Sequence, residues 1–215
     1  GAMPSSTFLN LPAQKQEKLL EAATREFSQR PYTEASINQI IKDAGIPRGS
    51  FYMYFADKED LFRYVMEGYV DQLLLVVRES ILRSGGDLFE GMLGLYDYVR
   101  SRRREQQVGE MGTVTTIIAC NSGLQQNMLL GLFTRQRVLD ALSDVVAVDR
   151  LDLRCSGDLE NILALVLSVT GPLLLRGAAG DDGSSGRERL AGLLELCKRG
   201  MALDKGSAAE EEKGE

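Results

Sequence analysis

The sequence predicts an all-α fold, a small three-helix unit followed by a larger helical domain, and three observations lead there. Long stretches of Leu, Ala, Glu, Arg and Val contain only five prolines and no tryptophan, a composition of helix formers. Apolar residues recur at helical spacing and almost nowhere alternate as a strand requires. Clusters of Gly, Ser and Asp, such as Gly180 to Gly186, punctuate the helical segments. The boundaries expected from these signals are 12–57 for the first unit, 58–205 for the second, and 206–215 for a solvated tail of small and charged residues with nothing apolar to bury.

In the first unit, Leu19, Leu20, Ala23 and Phe27 share one face of a helix from about Pro12 to Gln29. A second helix starts at Ser36, where Ser36 and Gln39 are spaced for a reciprocal capping box and Ile37, Ile40, Ile41 and Ala44 form the inner face. Gly45 suits the turn that ends it, and Pro47 suits the first position of a short third helix over 47–54. Asp57 is placed to cap a fourth helix, in which Leu61, Phe62, Val65, Met66, Tyr69, Leu73, Val76, Val77 and Ile81 stay in phase. That helix runs for ~25 residues, or ~37 Å at the standard rise, long enough to link two parts of the molecule.

Beyond the Gly85-Gly86 break, helices are expected near 87–105, 107–121, 123–148, 158–177 and 187–203. The run Ile162–Leu175 is apolar and uncharged but only 14 residues long, short of the ~20 a membrane span needs. No charged and then apolar leader opens the chain, Gly1-Ala2-Met3 reads as the scar of a removed tag, and Cys120, Cys155 and Cys197 are scattered and odd in number. A reduced cytoplasmic setting is therefore the expectation, without membrane attachment.

Histidine is absent, which removes the commonest general base and the commonest metal-binding imidazole. With no clustered acid pair either, no catalytic residues, cofactor or metal are expected, and the chain reads as a non-enzyme. The net charge of −6 does not bar an anionic partner, because the local field at the contact decides. Residues 13–63 carry 8 Lys+Arg against 8 Asp+Glu, so placement must do what bulk charge cannot. The dense cluster Arg100, Arg102, Arg103 and Arg104 ends a helix, where cations also complement the dipole.

Two short helices joined by a Gly-containing turn and preceded by a packing helix form a helix-turn-helix, whose second helix can enter a major groove. The residues go further. The runs Leu19 to Phe27, Ser36-Ile37-Asn38-Gln39-Ile40, Ala44-Gly45-Ile46-Pro47-Arg48-Gly49-Ser50-Phe51-Tyr52-Met53-Tyr54-Phe55 and Lys58-Glu59-Asp60-Leu61 resemble, without gaps over about 45 residues, the N-terminal domain of the TetR family. The resemblance implies that Arg48, Ser50, Tyr52 and Met53 face bases or phosphates of double-stranded operator DNA, with Pro47 and Gly49 in the same surface. It also implies that Ser36, Tyr54 and Lys58 brace the flanking DNA backbone. Arginine can fork onto guanine, hydroxyls can meet phosphates, and Gly49 permits close approach; Phe51 and Phe55 are expected in the core. The chain departs from the family in Pro31, Ala35 and Pro47, where glycine, threonine and serine are usual, and Ala35 removes a hydroxyl that would reach phosphate.

Past residue 65 the resemblance is architectural. It implies a pocket for a small-molecule effector, for which Tyr69, Tyr96, Met111, Thr115 and Phe133 are the candidate lining. It also implies a homodimer built on the last two long helices, with Leu163, Leu167, Leu174, Leu190 and Leu194 as candidate interface residues. The function implied is a bacterial-type transcriptional repressor released from its operator by that ligand. The competing reading is a helical scaffold or small-molecule carrier that retains the helix-turn-helix without binding DNA.

Overall fold

The computed structural model describes residues 4–104, 113, 116, 117, 120, 121, 132–180 and 183–203. The described chain is helical, in two compact units: residues 1–72 with 108–133, and 73–107 with 134–215. The one extended pairing among the described residues is an isolated bridge between Leu151 and Ala202.

The first unit opens on α1 (Ser6–Leu9), an element too short for helical periodicity to reveal. Ser5 caps it, and its Phe8 is fully buried. Phe8 lies 4.9 Å from Phe55, 5.6 Å from Tyr64 and 6.0 Å from Tyr54, ring to ring. Helix α2 (Ala13–Gln29) follows, then α3 (Ile37–Ala44) and α4 (Arg48–Tyr54). α5 (Lys58–Arg83) begins as expected, with the Asp57 carboxylate accepting from the Asp60 amide at 2.9 Å while Asp60 accepts from Ala56 at 3.0 Å. Leu19, Phe27, Ile40, Phe51, Phe55, Leu61 and Phe62 are all at most 1% exposed. Burying each such side chain contributes ~1.5–3 kcal/mol, which is what sets three short helices into one rigid block.

In the second unit the later part of α5 packs Leu74, Val77 and Ile81 inward. α6 (Leu88–Arg104) comes close enough that a Cβ on Gly91 would stand 3.0 Å from the Ile81 Cα, and the Ser80 hydroxyl donates to the Gly91 carbonyl at 2.6 Å. Arg78 is bidentate to Asp144 and also donates to the Ala141 carbonyl. The remaining described helices are α7 (Arg135–Leu142), α8 (Asp158–Ala179) and α9 (Gly186–Met201).

The single helix expected over 123–148 does not form as such. Thr134 starts α7 by accepting from the Arg137 amide, and the chain turns after Leu142 into a 3-10 segment, Val148–Arg150. Of the helix expected over 107–121, Thr113, Thr116, Ile117 and Cys120 are helical and most of the rest lies outside the described residues, as do Gly1 to Met3 and the tail 206–215. Among the described residues, Asp158–Ala178 is a helix long and apolar enough to cross a membrane by length and composition, with 39% of its most apolar window buried.

Candidate nucleic-acid interface

The corner between α3 and α4 is fixed by backbone chemistry. Gly45 takes a left-handed conformation at φ 67°, its amide bonds the Lys42 carbonyl at 3.2 Å, and the Ile46 amide bonds the Ile41 carbonyl at 3.0 Å. This is the paired closure that ends helices at glycine. Pro47 stands just outside α4 rather than at its first helical position, because its extended ψ of 149° makes it the cap.

The start of α3 differs from the reciprocal capping box. The Ser36 hydroxyl accepts from the Gln39 amide at 3.3 Å, but the Gln39 side chain donates instead to Asp43 at 2.9 Å. The Ser36 amide donates to Glu26 on α2 at 3.2 Å, and Glu26 is 3% exposed. A buried carboxylate from another helix thus takes the place intended for Gln39.

Helix α4 divides cleanly. Phe51 is buried, while Tyr52 and Met53 are 47% and 60% exposed, and Arg48 and Gly49 are exposed beside them. The Arg48 guanidinium donates to the Asn38 side-chain oxygen, reaches the Tyr52 hydroxyl at 3.5 Å and lies 5.7 Å from that ring's centre. Asn38 is a residue that the sequence reading passed over; its signal was a polar side chain on the outer face of α3. Ser50 and Tyr54 are half-buried, Tyr54 against Phe8. Among the described residues, this face gathers a guanidinium, an amide, hydroxyls and a thioether on a rigid corner, groups that can address base edges and phosphates.

Lys58 is placed differently from a free phosphate-binding cation. Its ammonium donates to the carbonyls of Ala35 at 3.1 Å and Thr33 at 3.5 Å and sits 4.7 Å from the centre of the Tyr32 ring. Burial, then the nearby Glu59 and Asp57, push the Tyr32 hydroxyl above its ordinary pKa. The Tyr32 amide donates to the side chain of Asn121 at 2.7 Å. The loop into α3 is therefore held at Tyr32, Ala35 and Ser36.

The candidate effector residues fall into different surroundings. In the first unit, the Tyr69 hydroxyl lies 3.5 Å from that of Thr24, and Phe133 is 39% exposed. In the second, Tyr96 lines a cavity of about 500 Å³ with Asp97, Arg100, Ser101, Gly183, Ser184 and Arg187. Met111 and Thr115 lie outside the described residues. Four of the candidate interface leucines, Leu163, Leu174, Leu190 and Leu194, are buried in the second unit's own core, at 0%, 7%, 0% and 2% exposure. Leu167 is half-buried, and the exposed large hydrophobic residues of α8 and α9 are Leu165 and Leu196. All three cysteines are free, and no group of three or more potential metal ligands converges among the described residues.

Comparison with known proteins bears on the same segment. The chain is 32% identical over 72 residues to the HTH-type transcriptional regulator YdgC of Bacillus subtilis, covering 34% of this chain and 37% of that protein. It is 33% identical over 79 residues to the HTH-type transcriptional repressor KstR2 of Mycobacterium tuberculosis, covering 37% and 39%. The chain thus matches only 37% and 39% of the length of these two curated relatives. A structure of a cysteine mutant of the TetR family regulator CifR complexed with 26 bp double-strand operator DNA matches at 20% identity and a TM-score of 0.51, covering 86% of this chain and 95% of that one, and bears on fold alone. Residues 19–65, which frame α3, the Gly45 turn and α4, match the family described as bacterial regulatory proteins, tetR family. The likeness to that family is thus carried by the helix-turn-helix segment, residues 19–65.

Proposed function

We propose that the chain is a sequence-specific, double-stranded-DNA-binding transcriptional regulator, acting as a homodimeric repressor that a small-molecule effector releases from its operator. The observation that carries the reading is the division of α4, with Phe51 in the core and Arg48, Tyr52 and Met53 outward. Large side chains left exposed on a rigid two-helix corner fit the second helix of a groove-reading motif. The names of the relatives point the same way: KstR2 is a transcriptional repressor, and CifR is described in complex with operator DNA.

Dimerisation is supported by α8 and α9, where Leu165 and Leu196 are 47% and 60% exposed. Apolar surface of this kind favours a partner, and a two-fold pairing would set two reading helices on successive half-sites. Effector release would act by changing the spacing of those helices.

The test is a gel shift on the gene's own upstream DNA, followed by selection of bound sequences from a random library. Retarded duplex enriched for a near-palindromic sequence is the expected result. A protein that retards neither upstream nor random duplex would be a helical scaffold or carrier instead.

A further inference from the structure

We infer that Arg30, outside the recognition helix, is a further phosphate-contacting residue, held in place by the buried carboxylate of Glu26; the inference rests on the DNA-binding reading above. Arg30 follows the last residue of α2, and its side chain is 56% exposed. Its Nε lies 3.2 Å from Glu26 Oε1, the oxygen that also accepts from the Ser36 amide at 3.2 Å. One carboxylate oxygen thus fixes both the guanidinium of Arg30 and the residue that caps α3.

Three physical consequences follow. Glu26 is 3% exposed, and a buried carboxylate is costly unless it is paired and hydrogen-bonded, so the contact with Arg30 is anchored from the interior. Standing alone at the start of α3, that negative charge would oppose an approaching phosphate; the guanidinium neutralises it there. A guanidinium carries five N–H donors, and a carboxylate held at Nε does not saturate them, so the exposed fork remains able to donate to a phosphate oxygen beside Ser36.

The experiment measures binding of the full chain to a mixed-sequence duplex as a function of salt, for wild type, Arg30→Ala and Arg30→Lys. Each neutralised phosphate contributes about 0.9 to the slope of log K against log salt. Arg30→Ala should lower the slope by about that amount per bound subunit, and Arg30→Lys should restore most of it. Melting curves without DNA identify a purely structural role, which would lower the melting temperature and leave the slope unchanged, overturning the inference. An unchanged slope in a normally folded Arg30→Ala protein overturns it equally. A wild type that binds no duplex defeats the DNA-binding reading itself, an outcome distinct from either.

Discussion

The ammonium of Lys58, at the start of α5, sits 3.1 Å from the carbonyl oxygen of Ala35 and 4.7 Å from the centre of the Tyr32 ring. It ties the loop that enters the reading corner to the helix that follows it. Lys58→Ala removes a charge-assisted hydrogen bond, and such bonds contribute about 1.5–3 kcal/mol. Its melting temperature should fall, and its affinity for specific and random DNA should fall together. The salt slope separates two roles: a loss of about one unit gives Lys58 a phosphate contact as well, and an unchanged slope confines it to bracing the loop.

Arg48 and Asn38 are hydrogen-bonded across the corner, so the arginine is presented by α3 as well as by its own helix. Arg48→Ala should weaken operator binding by ~1–3 kcal/mol and relax base preference, if the guanidinium forks onto guanine. Asn38→Ala leaves the guanidinium present and less ordered, so its loss should be smaller. Competition assays with single-base operator variants check both, and a uniform loss on every sequence would demote Arg48 to a backbone contact.

Phe8 is the clearest consequence of structure that periodicity could not reveal. It is fully buried, and the Ser5 amide beside it donates to the Tyr54 carbonyl at 2.9 Å. Phe8→Ala should cost ~3–5 kcal/mol of stability, as large-to-small core changes of this kind do. Denaturant melting measures it, and a cost below about 1 kcal/mol would mean that α1 is dispensable to the reading unit.

The limits of the sequence reading have physical causes. Helices α2 to α5, α8 and α9 were legible because each shows a sustained apolar stripe or carries a capping residue such as Ser36, Asp57 or Gly45. α1 has four residues, fewer than a period test can use. The helix expected over 123–148 failed because Thr134 offers a local cap that competes with continuation. In α8 the composition showed that Leu163 and Leu167 are apolar, but only packing tells which faces inward, since nearly every position there is apolar. The role of Glu26 was equally hidden, because one charged residue on an amphipathic helix gives no sign that it points at Ser36.

Asp158 allows a pH test. Its carboxylate accepts from the amides of Cys155 at 2.8 Å and Arg154 at 2.7 Å, and these bonds hold its pKa below the usual carboxylate range. A pKa lowered on folding contributes stability that is present above the unfolded value of about 4 and lost as pH falls through the folded value. Asp158→Asn should therefore melt below wild type at neutral pH, and the gap should close as the pH drops below about 4. A gap that stays constant down to pH 2 would assign the difference to something other than this carboxylate.

The proposed dimer can be tested where the surface is open. A charge at Leu194, 2% exposed within its own subunit, would disrupt the fold and say nothing about association. Leu165 and Leu196 are exposed at 47% and 60%, so Leu165→Asp and Leu196→Asp should leave the helical content intact and shift the protein to monomers in sedimentation. Operator affinity should then fall by orders of magnitude while folding is kept, because linking two half-site contacts makes the second one intramolecular. Random-duplex binding per subunit, which needs no half-site spacing, should fall far less. A wild type that sediments as a monomer at micromolar concentration, or charged variants that remain dimeric, would remove α8 and α9 from the interface.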